Sequence, residues 1–212
     1  MPGPRNNGNG FTLVEMLVAV AIAGVVMAGI YSAYYSQQKS YIAQGEITKM
    51  QQNIRAAMYF MEREIRMAGC DPKGSAGAGI TDLGWDAGLG RYTSISFTED
   101  IDADGEIDGG NENIAYVLDG TNLRRNGHPI AQNIEALDFV YLGADGAPTA
   151  IINDIRSVQI TLIARTDRGD PGYVNTETFQ NQGGTSFAGY PKNDHFRRRH
   201  CTAQVKCRNL GL

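Results

Sequence analysis

The sequence predicts an α+β fold in which one long amino-terminal helix packs on an antiparallel sheet. Residues 11–30 form an apolar segment with a single charge, and a stretch with apolar residues at helical spacing follows it. Five later segments alternate apolar and polar residues, as half-buried strands do. A hydrophobic content of 42% together with 26 glycines is typical of a loop-rich sheet domain rather than a disordered chain.

The helix should extend well beyond the apolar segment. Its apolar residues recur every three or four positions, at Ile47, Met50, Ile54, Met58, Met61, Ile65 and Ala68. No proline interrupts residues 11–69, and Gly69 is a suitable C-cap. At 1.5 Å per residue the helix would be roughly 85–90 Å long. We interpret the methionine-rich stripe as core rather than as a cofactor site.

The remaining chain should form the sheet. Residues 70–92 are rich in glycine, and we expect them to be irregular. The alternating segments, which we predict to be strands, are 93–98, 113–118, 136–142, 156–165 and 200–208. Because each has one polar and one apolar face, we expect an antiparallel sheet with one face against the helix.

The apolar segment contains one unusual charge. Glu15 is the only ionisable side chain in residues 11–30, which are long enough to span a bilayer. A carboxylate there costs roughly 2.5–3.5 kcal/mol on insertion scales unless it is neutralised. Cleavage between Gly10 and Phe11 would create an amine at Phe11 that can pair with Glu15 of a neighbouring copy. Arg5 in the leader places the amino terminus in the cytoplasm and the rest outside.

The run Gly10-Phe11-Thr12-Leu13-Val14-Glu15 resembles the processing motif of type IV pilins and type II secretion pseudopilins. The resemblance implies that a prepilin peptidase cuts after Gly10 and N-methylates Phe11, and that Glu15 guides assembly into a filament. An ordinary signal peptide fits poorly, because its cleavage site follows a shorter apolar core.

The resemblance also implies the organisation of the chain. Residues 1–10 are expected to be a cleaved leader, 11–31 a transmembrane and filament-core helix, 32–69 an amphipathic helix, and 70–212 a globular periplasmic or extracellular sheet domain. The protein would sit in the inner membrane as a single-pass chain before joining a surface filament or a periplasmic pseudopilus.

The second half of the chain is most similar to PilW-type minor pilins, which are related to J-type minor pseudopilins. The similar segments are residues 62–69, 196–199 and 205–210. This similarity implies a minor pilin that primes or caps a type IV pilus, with other pilins and minor pilins as partners. A type II secretion pseudopilin, or a pilus-borne adhesin or ligand-binding head, is the alternative.

An acidic loop is the sharpest chemical signal in the sheet domain. Asp100, Asp102, Asp104 and Gly105 match the D-x-D-x-D-G start of an EF-hand loop. The further candidate ligands are Glu106, Asp108 and Glu112, although Glu112 comes one residue later than the pattern requires. The loop therefore predicts a weak calcium site between two strands, or else a solvated acidic turn.

The three cysteines would lie on the oxidising side of the membrane. Cys201 and Cys207 are separated by roughly 20 Å of predicted strand, too far for a disulfide between them. Cys70 can pair with either Cys201 or Cys207, or all three can remain unpaired.

The composition argues against two further functions. A net charge of −4 and a pI of about 5.4 do not favour nucleic acid as a partner. The run Arg197-Arg198-Arg199 is short, and we interpret it as a solvated or subunit-contacting edge. No nucleophile–base pair, phosphate-binding loop or zinc set is evident, so we expect no enzyme activity and no cofactor other than possible calcium.

Overall fold

The computed structural model describes residues 10–211 as one long helix and ten strands. Residues 1–9 of the predicted leader lie outside the described part of the chain. The chain divides into two compact units at Gly45. We call residues 10–45 the amino-terminal unit and residues 46–211 the head unit, and describe each by itself.

The helix α1 comprises 55 residues, Leu13–Met67. In the head unit, the predicted stripe is confirmed, because Met50, Ile54, Met61 and Ile65 are each at most 4% exposed. The predicted C-cap is also confirmed. Gly69 has a φ of +79°, which favours glycine, and its N–H donates to the Thr98 carbonyl at 3.0 Å.

Two five-stranded antiparallel sheets make up the rest of the head unit. The strands are β1 (Ile80–Asp82), β2 (Trp85–Asp86), β3 (Arg91–Tyr92), β4 (Ser94–Thr98), β5 (Asn113–Asp119), β6 (Asn122–Arg125), β7 (His128–Ala131), β8 (Ile134–Leu142), β9 (Ser157–Arg165) and β10 (Arg198–Lys206). The first sheet has the order β1-β4-β5-β6-β7, and the second has the order β10-β9-β8-β3-β2.

All five predicted strands are present, but the expectation of a single sheet was wrong. Residues 70–92 contain β1, β2 and β3 rather than irregular structure alone. These strands have two or three residues, too few to show an alternating pattern. The β6–β7 hairpin was missed although Asn126-Gly127, with φ values of +49° and +78°, is a strong hairpin signal.

The second sheet is covered on both faces, which also differs from the prediction. One face joins the main core, which includes Leu162 and Met61. On the other face Ile163 packs with Phe179 and Phe187, which belong to the segment 166–197 between β9 and β10. This segment covers the polar face that we expected to be solvated, and Thr161 is accordingly 1% exposed.

A polar cluster fastens the helix to the first sheet. Glu64 of α1 accepts a hydrogen bond from the Tyr116 hydroxyl of β5 and bonds to Arg125 Nε of β6 at 2.8 Å. Burial, together with the neighbouring Glu64 carboxylate, raises the pKa of Tyr116. This cluster helps to fix how the helix lies on the sheet.

Candidate functional site

The amino terminus of α1 forms a capping box. Thr12 precedes the first helical residue, and its N–H donates to Glu15 Oε2 at 2.8 Å. The Glu15 N–H in turn donates to Thr12 Oγ1 at 3.3 Å, and the Thr12 hydroxyl donates to Glu15 Oε2 at 2.9 Å. Thr12-x-x-Glu15 is the sequence signature of this motif. From the sequence we predicted only an assembly role for Glu15 and missed the capping-box pattern.

The residues predicted for processing and assembly are all accessible in the single chain. Gly10, Phe11 and Glu15 are exposed, with Phe11 at 87%. The peptide bond between Gly10 and Phe11 is therefore open to a peptidase. Glu15 follows Phe11, whose amine cleavage would create, by four residues in sequence.

The amino-terminal unit leaves its apolar side chains uncovered. Leu13, Val20 and Val25 are each more than 65% exposed, and other large apolar residues up to Ile42 are similarly open. By length and composition α1 contains a stretch, near the amino terminus, that is apolar enough to cross a membrane, and none of that stretch is buried within the chain. Exposed apolar surface of this extent marks contact with lipid or protein.

Comparison with known proteins agrees with this geometry. The profile of the prokaryotic N-terminal methylation motif matches residues 5–31, which include Gly10, Phe11 and Glu15. The fold resembles that of a type IV-like pilin from Thermus thermophilus, with a TM-score of 0.51 over 76% of this chain and 98% of that one. This chain has the prokaryotic N-terminal methylation motif and a fold similar to that of a type IV-like pilin.

The likeness to the Thermus pilin concerns the fold, since the two sequences are 16% identical. No curated protein matches the chain. The comparisons therefore show the methylation motif and a pilin-like fold, and they do not select the PilW-type group.

The acidic loop of the pilin-like chain brings three carboxylates together. Oxygens of Asp100, Asp102 and Glu112 all lie within 4.8 Å of one another. Asp100 is 1% and Glu112 2% exposed, whereas Asp102 is exposed. Glu112 reaches the cluster although it stands one residue late in the EF-hand pattern.

Backbone N–H groups hold these carboxylates in place. Asp100 accepts hydrogen bonds from Asp104 and Gly105, and Glu112 accepts them from Ile101, Asp108 and Gly109. The hydrogen bonds to Glu112, that from Gly109 above all, lower its pKa. The side chains of Asp104 and Asp108 are not part of the three-carboxylate group, and the backbone carbonyl of Glu106, the ligand predicted from that residue, stays a prediction.

The sequence left open whether Cys70 pairs with Cys201 or Cys207 or all three cysteines stay unpaired, and all three thiols are free in the structure. Hydrogen bonds join the chain end to the helix end instead. The Arg208 N–H donates to the Arg66 carbonyl at 3.3 Å, and Asn209 Nδ2 donates to the Met67 carbonyl at 3.2 Å. Burial raises the pKa of Cys207 to about 12, so this thiol is unreactive at neutral pH.

The basic run at the start of β10 is divided between core and surface, because Arg198 is buried, Arg197 is half-buried and Arg199 is exposed. Arg198 is 3% exposed and forms ion pairs with Glu135 at 2.6 Å and with Asp194. Arg197 pairs with Asp170 at 2.7 Å. The interpretation of Arg198 as part of a solvated edge was wrong, because the segment 166–197 folds over this end of the sheet and supplies Asp194.

Proposed function

We propose that this chain is a minor pilin that takes part in type IV pilus assembly, by priming or capping the filament. In this role it is made with residues 1–10 as a leader and inserted in the inner membrane with a cytoplasmic amino terminus. Prepilin peptidase then cleaves after Gly10 and methylates Phe11. Its partners are other pilins and minor pilins, and its role is structural rather than catalytic.

The observation that carries the proposal is the combination of an accessible Gly10–Phe11 bond with an uncovered apolar helix. The motif profile covers this bond, and the side chains that follow it have no cover within the chain. A bilayer can cover them before assembly, and neighbouring helices can cover them in a filament. Glu15 is then the polar group that sets the register between neighbouring helices.

The direct test is the intact mass and amino-terminal fragmentation of the protein recovered from membranes of its native host. We expect a chain that begins at N-methylated Phe11, because Gly10 and Phe11 are both exposed to the peptidase. Gly10→Val should leave the leader attached and serves as the matched control. A wild-type chain that still begins at Met1 would overturn the proposal.

A minor pseudopilin of a type II secretion system is the second candidate, because the same motif and fold serve both systems. Deletion of the gene for this chain in its native host distinguishes the pilus role from the secretion role. Loss of surface pili with normal protein secretion supports the pilus role, whereas loss of secretion with normal pili supports the secretion role.

We also propose that the acidic loop holds a calcium ion. Asp100, Asp102 and Glu112 would supply carboxylate oxygens, and hard cations prefer such ligands. Crowding of the negative charges favours this proposal. The pKa of Asp102 is lowered by a hydrogen bond from Asp104, but desolvation and the surrounding carboxylates outweigh that bond and raise it. A bound cation would relieve this repulsion.

Thermal unfolding of the full chain with calcium chloride or with a calcium chelator tests the site. At a calcium concentration ten times the Kd, binding should stabilise the fold by about 1.4 kcal/mol. Asp100→Asn should abolish the increase, whereas Asp119→Asn, on an exposed part of β5, should retain it. An equal Tm with calcium and with chelator would show that the loop is a solvated turn.

A further inference from the structure

A cavity of about 380 Å³ opens on the second sheet of the head unit, and its lining contains no residue of the acidic loop. Strands β2, β3 and β8 form one side, and residues 181–188 of the covering segment form the other. This volume is typical of a site for one small ligand or one sugar unit. None of the features used above to assign the chain to the pilins involves this cavity.

One wall of the cavity is aromatic. Trp85 is 57% exposed and lies edge-on to Tyr92, with ring centroids 4.9 Å apart. Tyr92 packs in the same way on Tyr141 at 5.1 Å, and burial of Tyr141 anchors the stack in the core. The exposed indole of Trp85, held by its contact with Tyr92, offers a rigid apolar surface against which the C–H face of a ring-shaped ligand can pack.

Asp138 supplies a buried acceptor beside this wall. Asp138 is 3% exposed, and one oxygen of its carboxylate accepts a hydrogen bond from Asn181 Nδ2 at 2.8 Å. The other oxygen receives no hydrogen bond from the described residues. Burial raises the pKa of Asp138, although the hydrogen bond from Asn181 and the charge of Arg91 act in the opposite direction. A ligand hydroxyl could donate a hydrogen bond to this second oxygen of Asp138.

Arg91 supplies the complementary donor. Its guanidinium lies 4.5 Å above the centre of the Phe187 ring, and within the described part of the chain its buried Nε has no hydrogen-bond partner. The cavity is therefore lined by one guanidinium and one carboxylate, whose formal charges cancel.

We propose that this cavity binds one pyranose unit of a neutral glycan. A sugar hydroxyl can donate to Asp138 and accept from Arg91, which no simple cation or anion can do. The balanced charge of the lining favours a neutral ligand, and Trp85 provides the surface on which the sugar ring packs. Asn181 and Ser186, at the rim, offer further hydrogen bonds to hydroxyls.

Trp85 makes the proposal easy to test, because it is the only tryptophan of the chain. The full chain, in a detergent without a sugar headgroup, is titrated with methyl α-mannopyranoside, methyl β-glucopyranoside or methyl β-galactopyranoside. We expect at least one glycoside to change the tryptophan fluorescence saturably, with a Kd on the order of 1 mM. Saturation-transfer NMR should show the same glycoside in contact with the protein.

Asp138→Asn should weaken binding at least tenfold, and Asp119→Asn, which makes the same change on β5, should leave it unchanged. Asp138→Asn should fold, since it removes a buried charge without changing the size of the side chain. Trp85→Ala is a second variant, and glycoside binding to it is measured by NMR.

Two results would overturn the proposal. They are no response to any glycoside in either measurement, or an unchanged response in Asp138→Asn. The head unit should behave in the same way with or without the leader, so failure here is distinguishable from failure of prepilin processing.

Discussion

At the scale of single residues, Glu15 combines two physical roles. Within its own chain it accepts the Thr12 N–H and so caps the helix. In the proposed filament its charge pairs with the amine of a neighbouring Phe11. A capping hydrogen bond requires only an acceptor, whereas the intersubunit pair requires a negative charge, so the two roles can be separated.

Replacing Glu15 with glutamine or with alanine separates them. Glutamine keeps the capping acceptor and loses the charge, and alanine loses both. We expect both variants to be inserted and cleaved, because Gly10 is unchanged, and neither to enter filaments. Immunoblotting of sheared filaments and of membranes measures this. Normal incorporation of Glu15→Gln would show that the cap, rather than the charge, is what assembly needs.

At the scale of elements, the end of α1 depends on a backbone conformation. Gly69 follows the helix with a φ of +79°, and a Cβ built there would lie 2.5 Å from Leu210 Cδ2. The left-handed conformation thus ends the helix and lets the carboxy-terminal residues pack closely against it. Side-chain-bearing residues are disfavoured there on both grounds.

We expect Gly69→Ala to lower the free energy of unfolding by about 1–3 kcal/mol. Gly45→Ala is a matched control inside the same helix, where a Cβ would meet nothing within 4 Å. It should be neutral or stabilising by up to about 1 kcal/mol. Chemical denaturation followed by circular dichroism measures both. Equal effects at the two positions would contradict the assignment of Gly69 as the C-cap.

At the scale of the whole molecule, the Arg198–Asp194 ion pair ties the covering segment 166–197 to β10, and the Arg197–Asp170 pair joins two parts of that segment. The Arg198 guanidinium holds the pKa of Asp194 below its ordinary value of 3.8, and Arg197 does the same for the pKa of Asp170. A lowered pKa means that the folded state binds the proton less readily than the unfolded state. The resulting stability is full above pH 3.8 and is lost as the pH falls through the lowered values.

Asp194→Asn should therefore destabilise the fold at neutral pH, and the gap to wild type should close on acidification. We expect a constant difference in the free energy of unfolding above about pH 5. The difference should shrink below the unfolded pKa of 3.8. Urea denaturation at a series of pH values measures it. A gap that persists unchanged at low pH would show that the Arg198–Asp194 pair does not carry this stability.

The sequence by itself determined the helix, its buried stripe, its C-cap and the five longer strands. These features are local, because each repeats a pattern over many residues or depends on one backbone conformation. The motif that contains Gly10, Phe11 and Glu15 could also be identified from the sequence, because its residues are contiguous. The same holds for two signals that we missed, the capping box at Thr12 and the turn at Asn126-Gly127.

Only the tertiary structure decided that there are two sheets, that segment 166–197 covers one of them, and that Arg198 is buried. The cavity that joins Trp85, Arg91 and Asp138 was decided in the same way. In each case the partners lie far apart in sequence or belong to strands too short to show a period. Whether these residues come into contact depends on strand order and on how the chain crosses between strands, which local sequence patterns do not encode.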